Sequence, residues 1–193
     1  AGEARVTLPL PGLYNVYNIL AASSVAKTYN IPASKTKESV ESFSSAFGRF
    51  QSVQINQKSI LIFLIKNPTG ANEVLRVLSL RKKLHILAIL NDKIADGRDV
   101  SWIWDTNWEI LQNKVKTVSV SGTRTWDIAT RLKYASIKLS KYNIYKEISY
   151  SVEASIAKLN KRDTLIILPT YTAMLEVQRV LHKMGANTKW HNQ

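Results

Sequence analysis

The sequence has 193 residues, 45% of them hydrophobic, so it can bury the core of one domain, or of one domain and part of another, and disorder does not dominate it. Its 27 basic and 14 acidic residues give a net charge of +13, which predicts a surface that attracts anions. Cysteine is absent, which excludes disulfides, thiolate metal sites and a cysteine nucleophile within the chain.

Hydrophobic spacing predicts helices first and then alternating strands and helices. One helix is predicted over residues 13–29 and a second from Ser34, which can act as its cap. Predicted strands then cover residues 52–57, 59–66, 85–90, 117–121 and 164–168, with a weaker strand near 142–145. Residues 67–70 are predicted to form a turn. The later predicted helices cover residues 73–83, a segment ending at Leu132, 147–160 and 172–184.

This alternation predicts an α/β fold, a Rossmann-like and mostly parallel sheet with helices on both faces. Function in such sheets lies in the loops beyond the carboxyl ends of the strands. Three loops qualify, at residues 66–72, 91–105 and 122–126, and the second is the longest.

Several common functions find no support in the sequence. Neither a GxxxxGK[ST] loop nor a GxGxxG turn is present, and the longest apolar run, residues 60–65, is too short to span a bilayer. The bases are spread along the chain without an arginine-rich arm or an RNP-type motif, which favours a solvated basic surface over nucleic-acid binding. His85, His182 and His191 lie too far apart in the predicted fold for a metal cluster or a Ser-His-Asp set.

The loop ADGRDVSWIWDTNWE, residues 95–109, combines acids with tryptophans. Turn formation, a helix cap at Asp105 and burial of Trp102 and Trp104 would explain it structurally. Aromatic rings that a small domain cannot bury also mark interfaces, and an aspartate at such a rim can orient a histidine of another chain. The residues alone leave both interpretations open.

Other segments carry a resemblance to a family. LPGLYNVYNILAA, residues 10–22, resembles the signature that ends the central ATP-binding domain of Mur ligases, and GRF, residues 48–50, lies where those enzymes cross into their C-terminal domain. KNPTGANEVL, LNDKIADGRDVSWIWD and SGTR resemble the C-terminal domain of the MurT family, the Mur-ligase-like subunits of lipid II isoglutaminyl synthase. The resemblance implies that residues 1–47 end a central domain and that residues 48–193 form a Mur ligase C-terminal domain.

The resemblance also implies a function. MurT subunits pair with GatD, a glutaminase-like subunit with a cysteine and a histidine, and the complex uses ATP to amidate the D-glutamate α-carboxylate of the lipid II stem peptide. Asp99 matches the aspartate that completes the partner's Cys-His pair. Asp96, Arg98, Trp102 and Trp104 are then expected at the partner interface. The implied location is cytoplasmic, peripheral to the inner face of the membrane.

The nucleotide side of the resemblance is incomplete. Asn15 and Asn18 match the asparagines beside the adenine, and Arg49 matches an arginine that approaches the nucleotide. However, Tyr14 replaces the usual histidine, and the family's phosphate loop and carbamoylated lysine are missing. We therefore expect ATP with Mg²⁺ to act in a full-length protein, this chain alone to be inactive, and no metal site within it.

Two rival hypotheses remain from the sequence. One is a non-catalytic basic module that binds nucleic acid or an anionic membrane, which would be indifferent to Asp99→Asn. The other is a self-sufficient small enzyme that uses two acids between Asp92 and Asp105 as a general acid and base, which requires turnover by the isolated chain. The chain begins at Ala1 and shows no signal peptide, which suggests a processed or excised piece.

Overall fold

The computed structural model describes residues 5–43 and 49–186, and the chain forms two compact units, Ala1–Phe47 and Gly48–Gln193. The first unit contains helices α1 (Leu13–Thr28) and α2 (Ala33–Glu41). Among its described residues only Asn15 is buried, so this unit has no hydrophobic core of its own. The predicted cap at Ser34 is wrong: α2 begins at Ala33, and Pro32, whose φ of −57° already suits a helix, occupies the capping position.

In the described part of the second unit, five strands form one sheet in the order β1-β2-β5-β3-β4. Strand β1 pairs antiparallel to β2 at one edge, and the other neighbours are parallel, as the sequence predicts. The strands are β1 (Arg49–Ile55), β2 (Lys58–Phe63), β3 (Leu84–Ile89), β4 (Val115–Ser121) and β5 (Thr164–Pro169).

Helices cover both faces of the sheet. They are α3 (Pro68–Ser79), α4 (Thr125–Tyr134), α5 (Ile148–Ala157) and α6 (Tyr171–Lys183), and short 3₁₀ segments span Ser101–Asp105, Trp108–Leu111 and Lys141–Asn143. Successive residues of β3 face opposite sides: Ile86 packs with α3 and α4, and Leu87 packs with α5 and α6. Burial on both faces explains why β3 is a continuous apolar run.

Two local predictions are wrong. The predicted turn at residues 67–70 is the first turn of α3, because the Gly70 N–H donates to Asn67 Oδ1 over 2.8 Å and Pro68 needs no donor at the first helical position. The weak strand near 142–145 is a 3₁₀ segment followed by one isolated bridge, between Ile144 and Val120.

Gly122 allows the loops after β3 and β4 to approach each other. Its φ is +106°, and a Cβ there would overlap the Leu90 carbonyl and lie 2.9 Å from Asn91 Oδ1. Only glycine combines this backbone conformation with this close contact. The approach brings the Thr123 N–H within 3.0 Å of Asn91 Oδ1, which builds part of the site described below.

His85 is buried near the start of β3, at the opposite end of the strand from the loops after β3 and β4. Its Nδ1 lies 2.8 Å from Thr117 Oγ1, and its Nε2 lies 3.4 Å from Asp163 Oδ2. Burial lowers the pKa of His85; the Asp163 carboxylate opposes this effect and Lys116 adds to it. The folded protein therefore favours the neutral imidazole.

The stability of the fold should consequently fall as the pH decreases from neutral to about 5.5. Below the ordinary histidine pKa of 6.5, the unfolded chain binds a proton that the folded chain resists, so acid favours unfolding. Urea unfolding across this range should show a smaller pH slope for His85→Gln than for the wild type, with His182 and His191 unchanged in both. Equal slopes would contradict the assignment to His85.

Candidate functional site

The loops that follow β3, β4 and β5 meet at Asn91, of which 1% is exposed. The Asn91 N–H donates to Thr170 Oγ1 over 3.0 Å, and its Nδ2 donates to Thr172 Oγ1 over 2.9 Å. Its Oδ1 accepts from the Thr123 N–H. Since every one of these groups is satisfied, Asn91 holds three loops in one arrangement at the carboxyl edge of the sheet.

Asp96 ties the acidic loop to the start of α6. Its Oδ1 accepts from the Thr172 N–H over 2.7 Å, and its Oδ2 accepts from Thr172 Oγ1 over 2.5 Å. A carboxylate in the first turn of a helix satisfies a free N–H and complements the helix dipole. We expected Asp96 at a partner interface; with 6% of it exposed, the structure makes it an internal anchor instead.

Asp99 differs from Asp96, because it is exposed. Its Oδ1 accepts from the Ser101 N–H over 2.8 Å, just before the 3₁₀ segment Ser101–Asp105. Hydrogen bonds from Ser101, the backbone one foremost, lower the pKa of Asp99. The carboxylate is thus anionic at neutral pH, held in orientation from below, and accessible to a donor from outside the chain.

The tryptophans after Asp99 divide into buried and exposed side chains. Trp108 belongs to the core, and Trp102 is half-buried against it. Trp104 is 49% exposed and packs edge-on against Tyr134, with the ring centroids 5.5 Å apart. Tyr134 is 71% exposed, so the two rings form an aromatic surface beside the loop that carries Asp99.

Arg131 of α4 fixes this loop from below, and the sequence analysis missed it. Its Nε donates to the Ile103 carbonyl over 3.1 Å and its Nη2 to the Thr106 carbonyl over 2.5 Å. Both Nη atoms also bind the Glu109 carboxylate, at 2.8 and 2.9 Å, which lowers the pKa of Glu109. A signal was present: Arg131 shares the apolar face of α4 with Ile128.

Asp105 and Asp92 have local roles. The predicted cap at Asp105 is wrong, because Asn107 precedes the next 3₁₀ segment and no side chain caps it. The Asp105 carbonyl instead accepts from Asn72 of α3 over 3.2 Å. Asp92 Oδ1 accepts from Thr123 Oγ1 over 2.7 Å. With Asp96 buried as well, the structure gives no support to a self-sufficient pair of catalytic acids.

The predicted nucleotide residues do not form a site in the described part of the chain. Asn15 is buried and its Nδ2 donates to the Pro11 carbonyl over 2.8 Å, whereas Asn18 is exposed on α1. The Arg49 side chain lies outside the described residues. Arg98 is exposed and borders an open depression with Asp92 and Thr172.

Two searches of the described residues gave no result. They contain no group of three or more histidine, aspartate and glutamate side chains placed to hold a metal ion. None of the helices within the described ranges is long and apolar enough to cross a bilayer.

Comparison with known proteins gives a consistent family. Residues 64–174 match the family model described as MurT ligase C-terminal. The chain is 32% identical over 179 residues to the MurT subunit of lipid II isoglutaminyl synthase (glutamine-hydrolyzing) from Streptococcus pneumoniae, which covers 90% of this chain and 39% of that protein. The subunit of the same name from Staphylococcus aureus is 29% identical over 187 residues, covering 94% and 41%. The chain thus spans about two fifths of these relatives.

Solved structures agree on the fold. MurF from Acinetobacter baumannii superposes with a TM-score of 0.72 at 17% identity, covering 95% of this chain and 40% of that one. MurF ligase from Thermotoga maritima in complex with ADP gives a TM-score of 0.59 at 16% identity, covering 91% and 38%. At such identities the likeness shows a shared α/β architecture.

Proposed function

The chain belongs to the MurT ligase C-terminal family, and from this membership we propose that it is part of the MurT-type subunit of a lipid II isoglutaminyl synthase. The whole enzyme would amidate the D-glutamate α-carboxylate of the lipid II stem peptide with ammonia released from glutamine. Within it, this domain would dock a GatD-type glutaminase and supply Asp99 to that partner's Cys-His pair. The complex would work at the inner face of the membrane, where a lipid-linked substrate is held.

The observation that carries this proposal is the state of the Asp99 carboxylate. It is exposed, its pKa is lowered by Ser101, and its loop is fixed by Asp96 on one side and by Arg131 on the other. A carboxylate that lies outside the core yet is held so firmly suits a group that acts on another chain. The absence of cysteine fits as well, because the nucleophile would belong to the partner.

The chemistry assigned to Asp99 is that of the third member of a catalytic triad. Its carboxylate would accept the N–H of the partner's histidine and fix the tautomer whose other nitrogen removes the thiol proton. As that proton moves to the histidine, the negative carboxylate stabilises the imidazolium. The ordered Ser101 N–H keeps the carboxylate charged and oriented throughout.

The nucleotide step is not assigned to this chain. ATP with Mg²⁺ would activate the substrate carboxylate in the whole enzyme, but the Asn15 side-chain amide is engaged by the Pro11 carbonyl, and Tyr14 stands where the family has histidine. The described residues of the first unit therefore do not fit an ATP site by themselves. The proposal concerns the glutaminase side of the reaction.

Complex formation tests the proposal. A GatD-type glutaminase subunit mixed with this chain should form a complex by size-exclusion chromatography and should hydrolyse glutamine faster than either chain alone. Trp104→Ala should weaken the complex about tenfold or more, because an exposed aromatic anchor at an interface contributes at least 1–2 kcal/mol. Titration calorimetry measures the change in Kd.

Tyr150→Ala is the matched control. Tyr150 is 62% exposed and packs edge-on against Tyr145, as Trp104 does against Tyr134, but it lies on α5 at the other face of the sheet. Its removal should leave the Kd unchanged. No complex, or equal losses in the two variants, would overturn the proposed docking.

A further inference from the structure

An open groove of about 630 Å³ lies along α4, on the side away from the Ser101–Asp105 segment. We call it the α4 groove. Its floor is apolar, with Ile137 buried and Leu139 and Ile144 half-buried against the core. Exposed side chains at its border are Trp126, Lys133 and Lys138. Neither the glutaminase chemistry nor the loop anchors described above use any of these residues.

The charge of the α4 groove has one sign. Two lysines border it, and none of the described residues that line it is acidic. The surrounding sequence continues the pattern, because residues 133–146 contain four lysines and no aspartate or glutamate. A bound partner should therefore carry negative charge on its surface.

The aromatic residues narrow the partner further. Trp126 is 68% exposed, and Tyr134 on the same helix is 71% exposed. Tryptophan and tyrosine with lysine are characteristic of the bilayer interface, where the rings lie at headgroup depth and the long side chains reach lipid phosphates. In protein interfaces, by contrast, lysine is depleted from the buried centre.

We propose that the α4 groove docks this domain on a bilayer that contains anionic phospholipid. Trp126 enters the headgroup layer, Lys133 and Lys138 lie beside lipid phosphates, and the apolar floor covers the upper part of the acyl chains. The inference rests on the proposed function in one respect only, that the substrate is held at a membrane. It adds a surface on this chain that keeps the enzyme there.

Vesicle co-sedimentation tests the inference with the 193-residue chain. The wild type should bind vesicles of equal parts phosphatidylglycerol and phosphatidylcholine, and should bind pure phosphatidylcholine weakly. Lys133→Gln combined with Lys138→Gln should weaken binding to the anionic vesicles roughly tenfold or more, since each lysine near such a surface is worth about a fivefold change. Trp126→Ala should weaken binding to the same vesicles and abolish the part of the fluorescence blue shift that they cause.

The matched control removes the same charge elsewhere. Arg81 and Lys82 are exposed between α3 and β3, away from the α4 groove, and Arg81→Gln with Lys82→Gln should change binding less than about twofold. Equal losses in the two double variants would reduce the effect to net charge and overturn the inference. Absence of binding to anionic vesicles would overturn it too.

Glutamine hydrolysis on the same variants separates this inference from the proposed function. The groove variants should still form the complex with the glutaminase subunit and should hydrolyse glutamine at the wild-type rate. If Trp126→Ala instead abolishes the complex and leaves vesicle binding intact, the α4 groove is a protein interface and the membrane inference is wrong. If the wild type activates no glutaminase but the vesicle results hold, only the proposed function fails.

Discussion

Asp99→Asn should lower the rate of glutamine hydrolysis by the complex about 10⁴-fold, the loss typical when a triad aspartate becomes an amide. Asparagine can still accept the Ser101 N–H through its Oδ1, so the loop geometry should persist. The amide lacks the negative charge that stabilises an imidazolium, and its NH₂ can hold the partner's histidine in the wrong tautomer. A stopped assay of glutamate release, with the Kd measured in parallel, separates lost catalysis from lost binding.

Asp96→Asn is the matched control, with the same chemical change three residues away. This variant loses an acceptor for Thr172 at the start of α6, so it should unfold at lower urea concentration. At temperatures where it remains folded, its hydrolysis rate should stay within about tenfold of the wild type, because only the loop position changes. Wild-type activity in Asp99→Asn together with loss in Asp105→Asn would mean that the wrong aspartate has been assigned.

Arg131→Met should destabilise the domain by about 3 kcal/mol. Methionine has a comparable length, but it leaves the carbonyls of Ile103 and Thr106 without their donor inside the protein. A buried acceptor that loses its partner costs about 1–3 kcal/mol. Loss of the Glu109 pair adds little, because that carboxylate is half exposed and is resolvated. Urea unfolding followed by far-UV circular dichroism measures the change.

Arg124→Met provides the comparison within the same region. Arg124 immediately precedes α4, and its 41% exposed side chain forms ion pairs with Asp92 and Asp127 at the surface. Exposed pairs of this kind contribute about 0–1 kcal/mol, so this variant should lose far less stability. The glutaminase rate should also fall in Arg131→Met, because the segment that follows Asp99 loses its support. A similar loss of stability in both variants would show that Arg131 is not a specific anchor.

The architecture could be predicted because its signals are local. Strands buried on both faces are continuous apolar runs, and their alternation with helices requires a parallel sheet, which the structure confirms. The start of α3 was missed because Asn67 and Pro68 suit a turn as well as they suit a capping residue and a first helical position. The assignment of residues 1–47 to a central ATP-binding domain stays a prediction.

The site was predictable in place but not in detail. The loop after β3 follows from the fold class, whereas the roles of its acids depend on distant partners. Asp96 is buried because Thr172, 76 positions later, donates to it, and no local pattern distinguishes it from the exposed Asp99. Arg131 reaches Ile103 across 28 positions for the same reason. The catalytic role of Asp99 itself stays a proposal that its exposure and lowered pKa support.

The Asn91 side chain also limits how domains of this kind can diverge. It contacts Thr170, the first residue after β5, and Thr123, the second residue after β4. An insertion before either threonine would move it out of reach, whereas one placed beyond it would leave the contact intact. Descendants of this sequence are therefore free to vary the outer parts of these loops, where partners and substrates are selected, while the first one or two positions after each strand remain fixed in length.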